Sequence, residues 1–170
     1  LLILEKINQC VIDFCIKTGF LRKELDGFYT SESGSEYDID TPIDTTIDSI
    51  ISVSVNNRQI EAKNVDDLDS DIGGNWRELI GVPSYYYMPT VNKIVFVPIP
   101  LTRYPVRIIA TLKPTQTAKS IDEIIFQEFK NTIVDGVLSS LFIIPQKEWS
   151  NPELSVFIRK ITKNRQHKQN

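Results

Sequence analysis

Residues 120–145 read SIDEIIFQEFKNTIVDGVLSSLFIIP, and this stretch decides how the rest of the chain is organised. Ile124, Phe126, Phe129, Ile133, Val137 and Leu141 recur at helical intervals and define a long apolar stripe to about Ile143. Ser120 is the expected N-cap, with Glu123 three residues on as its capping-box partner, and Pro145 stops the helix. A second helix follows at once. Asn151 stands at its N-cap, Pro152 at the first helical position and Glu153 in the first turn, where a carboxylate suits the positive end of the helix dipole. Leu154, Phe157, Ile158 and Ile161 are its expected buried face. At the other end of the chain Leu4, Ile7, Val11, Phe14 and Cys15 share the same period to about Lys17, with Gly19 near the C-terminal end. A helix this short has little stability alone, so it is expected to pack with the two C-terminal helices.

Between these helices the period changes to that of strands. Leu21–Tyr29 reads as a strand, Thr30–Ser35 as a turn and Glu36–Ile39 as the returning strand. Asp48–Val55 is β-branched and partly alternating, Asn56-Asn57 is a tight-turn pair, and Arg58–Glu61 begins the partner strand. Val65–Ile72 is a short acidic element of one or two helical turns, ended by Gly73-Gly74. Pro83–Pro89 encloses a strand through Tyr85-Tyr86-Tyr87, Thr90–Asn92 turns, and Lys93–Pro98 returns. Tyr104–Lys113 is a further strand in which Val106, Ile108 and Ala110 alternate with Arg107, Ile109 and Thr111. No internal repeat is present at solenoid periods. The expected fold class is α+β: a helical bundle of the N-terminal helix plus two C-terminal helices, with an inserted antiparallel β domain. The whole is one domain, residues 1–170, in which 1–20 and 115–170 are helical and 21–114 form the β-rich lobe.

The composition fits that architecture. With 170 residues the chain can bury a real core, and its 41% hydrophobic and 24% charged content is ordinary for a globular protein. The net charge of −3 conceals an asymmetry. From Asp26 to Ile72 there are twelve acids against only Arg58 and Lys63, whereas from Arg159 onward Arg159, Lys160, Lys163, Arg165 and Lys168 meet no acidic side chain. Such a split suits docking of fixed polarity to partners of opposite charge. No apolar run reaches the roughly 18 residues needed to span a bilayer. The opening Leu1–Lys6 lacks the basic leader and small-residue cleavage site of a signal peptide, and without a Met the chain is expected to begin past its natural start. Cys10 and Cys15, five apart on one helix, point to different sides and read as free thiols rather than a disulfide pair.

Residue types that carry chemistry are sparse. The one histidine, His167, lies in the polar tail, without the fixed partner and closed site that general-base catalysis needs. Gly73-Gly74 lacks the Lys-Ser/Thr of a phosphate loop, and neither a nucleophile elbow nor a zinc-protease motif occurs. Asp67, Asp69, Asp71 and Glu78 fall at positions 1, 3, 5 and 12 of a calcium loop, but Ile72 stands where the sharp turn wants glycine, so a solvated acidic turn is the reading adopted. Tyr85-Tyr86-Tyr87 has the aromatic density of a base-stacking platform but no interleaved basic residues. A half-buried sheet, with Tyr85 and Tyr87 on one face and Tyr86 on the other, accounts for it better. Trp76 and Trp149, just before element boundaries, are expected to pin loops onto the core. No catalytic residue, cofactor or metal is therefore assigned.

Several segments, taken in order, carry a resemblance: Val11-Ile12-Asp13-Phe14-Cys15, Leu21–Asp26, Gly34–Ile39, Val65–Asp69, Gly81-Val82-Pro83-Ser84-Tyr85-Tyr86, Ile94–Pro100, Leu112-Lys113-Pro114 and Trp149-Ser150-Asn151-Pro152-Glu153-Leu154. In order and spacing the chain resembles the head-to-tail adaptor (connector) proteins of tailed bacteriophages. The resemblance implies a non-enzymatic virion protein of the neck, assembled in the host cytoplasm. It implies a homo-oligomeric ring, commonly twelve-fold, that joins the portal protein above to tail or nozzle proteins below. Genomic DNA would pass through its channel without sequence-specific binding, and no membrane is involved. It further implies that the C-terminal segment reaches the portal, with Arg159, Lys160, Lys163, Arg165 and Lys168 as contacts. The alternative is a β-rich ligand-binding module, for carbohydrate or nucleic acid, with helical flanks. Exposed aromatics and amides around a concave site would mark that module.

Overall fold

The computed structural model describes residues 2–166, with side-chain environments through Ile161. The chain is α+β, with four helices and a curled mixed sheet. It divides into two compact units, one made of residues 1–18 and 114–170, the other of residues 19–113.

The first unit holds α1 (Leu2–Thr18), α3 (Glu123–Phe142) and α4 (Pro152–Gln166). Helix α1 ends at Gly19, whose φ of +58° is the left-handed conformation that terminates helices and that glycine adopts without strain. Val11, Ile12, Phe14 and Cys15 form its buried face. It packs on α3, where Phe14 and Phe129 meet with ring centroids 4.7 Å apart. Gly136 of α3 also lies against α1, where a Cβ would stand 3.5 Å from the Cys10 sulfur, an ordinary contact distance. The Asn8 amide donates to the carbonyls of Thr115 and Gln116, at 3.1 and 2.6 Å, and so ties α1 to the chain entering α3.

Two expectations about these helices are corrected. The N-cap of α3 is Asp122, not Ser120: its carboxylate accepts from the Ile124 N–H, which makes Glu123 the first helical residue rather than the third. The buried face of α4 is as expected only in part, for Ile158 and Ile161 are half-buried. Ser155 is fully buried and its hydroxyl donates to the Ser139 carbonyl at 2.7 Å, whereas Leu154 and Phe157 are exposed. Small serines on both helices allow close approach, and this sets the rotation of α4 against the reading of its apolar period. The start of α4 is as expected, with the Asn151 side chain accepting from the Leu154 N–H at 3.0 Å.

The second unit holds β1 (Arg22–Glu24), β2 (Phe28–Tyr29), β3 (Glu36–Asp38), β4 (Thr45–Val55), β5 (Arg58–Ala62), α2 (Val65–Asp71), β6 (Ile80–Gly81), β7 (Tyr85–Thr90), β8 (Lys93–Val97), β9 (Ile99–Pro100) and β10 (Pro105–Pro114). The main sheet runs β1-β10-β4-β5-β7-β8-β3, with β2 also on β10, and β6 and β9 form a separate two-stranded sheet. The β4–β5 hairpin turns at Asn56 and Asn57, with φ of +52° and +61°, the left-handed pair that matches strand twist. Alternation in β10 buries Val106, Ile108, Ala110 and Leu112 in a core with Val53, Val55, Ile94 and Phe96.

Here too the pairing departs from the reading. Glu36–Asp38 does not return along Leu21–Tyr29 but pairs with β8, Tyr37 opposite Ile94. Leu21–Tyr29 is split into β1 and β2, both on β10. The sheet is mixed rather than purely antiparallel, because β5 and β7 run parallel with Glu61 opposite Tyr85. The connection between them contains α2, the kind of crossover that parallel neighbours require.

Gly136→Ala should leave thermal stability equal or up to about 1 kcal/mol higher, since a methyl at 3.5 Å is an ordinary contact and alanine favours helix. Gly136→Leu should cost roughly 1–3 kcal/mol by forcing α1 away from α3. Chemical denaturation followed by circular dichroism reads both.

Candidate interaction surfaces

Of the groups singled out as possible ligands of a cation, the Asp69 and Asp71 carboxylates are spent on separate partners. The Asn64 side chain accepts from the Asp67 N–H and caps α2. Asp69 accepts from the Trp76 indole at 2.6 Å and from Arg77 at 3.1 Å. Asp71 pairs with Lys63, which holds the carboxyl below its ordinary range and lifts the ammonium above its own. Among the described residues no three of His, Cys, Asp and Glu gather as a metal site.

The tyrosine triplet divides between two faces, as strand geometry requires. Tyr86 joins the main core, and burial pushes its phenol up. Tyr85 and Tyr87 pack on the cluster of Leu68, Trp76 and Val97, with Trp76 edge-on to Tyr87 at 5.7 Å. These rings form packing surfaces on both sides of β7. Trp76 does pin its loop. Trp149 does not: it is half exposed, beneath the Lys147 ammonium.

In the helical unit a cavity of 480 Å³ opens among α1, α3 and α4, lined by Cys10, Asp13, Lys17, Ser140 and Arg159. Burial and the nearby Asp13 charge push the Cys10 thiol up, the direction opposite to that of a nucleophilic cysteine. Cys15 is buried, and both cysteines are free.

The most distinctive surface of this unit is apolar. A groove of 360 Å³ lies along α1 and α3, lined by side chains that include Ile3, Ile7, Phe126, Val134 and Leu138, with Lys130 as its one charged member among the described residues. Phe126 is 56% exposed and Ile124 equally so, and both belong to the apolar stripe read from the sequence. Ile125, between them, is the fully buried residue. Helix α4 shows Val156 at 53% and Phe157 at 60%. Grooves and helix faces that leave apolar side chains in water are candidate sites of protein association.

The basic residues expected to contact a partner are placed in part. Arg159 and Lys160 are exposed on α4. Lys163 and Arg165 continue its backbone, their side chains outside the described residues, and Lys168 lies outside them entirely, as does His167. Counted over whole units, residues 19–113 hold 14 acids and nine bases, a net −5, while the remainder holds eight acids and ten bases, a net +2.

A family model described as SU10 adaptor protein matches residues 1–163. The chain belongs to the SU10 adaptor protein family. No curated protein matches it significantly. Membership gives this adaptor a structural role in a tailed phage, in association with other virion components of the neck, and implies that it is not an enzyme. Among the described residues no helix is long and apolar enough to cross a membrane.

Replacing Asp69 with alanine should strand the buried Trp76 N–H and cost roughly 1–3 kcal/mol, with a shift in tryptophan fluorescence. Asp67→Ala, whose side chain carries no such buried bond, should change stability by less than about 0.5 kcal/mol. Calcium should leave both melting curves where they are.

Proposed function

We propose that this adaptor forms a homo-oligomeric ring, twelve-fold in the usual case, that sits beneath the portal protein, receives tail or nozzle proteins on its other side and continues the DNA channel. In this reading the chain is one adaptor domain, residues 1–170, with α1, α3 and α4 as a bundle and the β-rich lobe as its insert. The observation that carries the reading is the family match over residues 1–163, together with the exposed apolar side chains of α1, α3 and α4. A subunit of a closed ring needs two different complementary faces. The opposed net charges of the two units suit stacking between partners of fixed polarity.

The basic segment Arg159, Lys160, Lys163, Arg165 and Lys168 is the portal contact in this scheme, reaching toward acidic groups on the portal. The surplus of acids in residues 19–113 serves the channel: a wall of the same sign as DNA phosphate repels it, so the genome slides without sequence-specific adhesion. Assembly takes place in the host cytoplasm, and the finished position is the virion neck. A carbohydrate- or nucleic-acid-binding role gains nothing from Tyr85, Tyr86 and Tyr87, whose rings are taken up by packing.

Imaging of the purified chain mixed with its portal protein should show rings on the portal, and discrete monomers in the presence of portal would reject the reading. Changing the five basic residues to glutamine together should weaken portal attachment at least tenfold and flatten its salt dependence, with the circular dichroism spectrum unchanged. Attachment equal to wild type at every salt concentration would remove the tail from the interface.

A further inference from the structure

The groove on α1 and α3 and the bare face of α4 are two unpartnered apolar surfaces on one helical unit, and their chemistry matches. Along α4, Glu153, Val156, Phe157 and Lys160 follow at intervals of three and four and share one side. Ser155, on the opposite side, is the residue buried against α3. On α3 the residues that meet α4 and those that line the groove also diverge: Ser139 carries the bond to α4, while Val134 and Leu138 face the groove. A helix committed to one side of α3 cannot fill a groove on another side of it. The α4 of a second molecule can.

We propose that the groove of each subunit receives the Val156–Phe157 face of α4 from a neighbouring copy of the chain. Phe157 and Val156 enter among Ile7, Val134 and Leu138, in the manner of an amphipathic helix laid in a hydrophobic groove. The polar flanks agree. Lys130, the groove's one charge among the described residues, is met by Glu153 one turn before Phe157 on the incoming helix, so the pair fixes the direction in which α4 lies. The contact is head-to-tail: every subunit gives a helix to one neighbour and takes a helix from the other, the arrangement from which rings close. The proposal rests on the ring reading above and names the surfaces that make it.

The test uses the full chain assembled on its portal protein. A double variant, Lys130→Cys with Glu153→Cys, should give a ladder of disulfide-linked multimers on non-reducing gels. Each single variant and the wild type, with its native cysteines, should give none. Phe157→Glu and Leu138→Glu alter side chains already exposed, so each should keep the wild-type circular dichroism spectrum while weakening ring formation roughly thirtyfold or more. Mixed together, these two variants should yield dimers joined through the one intact interface, with the wild-type helix in the wild-type groove. Lys130→Glu should weaken assembly and Glu153→Lys in the same chain should restore it.

Rings that form without a ladder and ignore Phe157→Glu would overturn this interface and leave the ring reading standing. A crosslink from residue 130 or 153 to the portal in place of a second copy would overturn it as well. Failure of the wild type to form rings on the portal would end both.

Discussion

The pairing of β1 with β10 is the constraint on which the rest of the structure depends. Arg22 stands opposite Thr111, and the Leu112 N–H donates to the Leu21 carbonyl at 2.8 Å. A flexible segment of about 95 residues would oppose the meeting of its ends by about 4 kcal/mol of closure entropy. Here the β-rich unit holds its own ends together, by antiparallel pairing of its first and last strands. The chain therefore leaves α1 and re-enters at Thr115 at neighbouring points, and the packing of Phe14 on Phe129 does not have to oppose that entropy. The Asn8 amide, bonded to the carbonyls of Thr115 and Gln116, completes the return within the helical unit.

The elements of this fold were legible in the sequence where the determining chemistry is local. Gly19 after α1, Asn56-Asn57 between β4 and β5, and Asn151-Pro152 before α4 each set a backbone geometry within a few residues, and each stands where its chemistry places it. The alternation of Val106, Ile108 and Ala110 likewise gave the buried face of β10. Pairing was another matter. That β3 joins β8, and that β5 lies parallel to β7, follows from which apolar faces meet across the core, and strand period carries no information about the partner. The β1–β10 pairing belongs to the same class. It joins positions some ninety residues apart, and Arg22-Lys23-Glu24 has no buried side chain to announce it.

The candidate surface was less legible, for a physical reason. An apolar stripe in a sequence shows that a helix face avoids water somewhere, in its own subunit or in an assembly. In α4 the period selected Leu154, Phe157, Ile158 and Ile161; the two isoleucines are half-buried, Leu154 and Phe157 are exposed, and the fully buried residue is Ser155. In α3 it selected Ile124 and Phe126 beside Ile133 and Val137, and only the last two are buried. The apolar period thus marked hydrophobic faces without separating the side chains this subunit buries from those it leaves exposed. Residues that oligomers bury resemble residues that monomers bury, since both lose water to apolar neighbours.

Helix α3 shows why some cover is required. Phe129 and Gly136 face α1, the Ser139 carbonyl meets α4, and Val134 and Leu138 line the groove that α3 forms with Ile3, Ile7 and Val11 of α1. A helix apolar around most of its circumference is stable in water only when flanked on each side. Two helices of its own chain flank α3 on two sides. Among the described residues that line this groove, Lys130 is the charged one. For such a subunit folding and assembly are linked: association that buries Val134 and Leu138 adds to the stability of the helical unit itself.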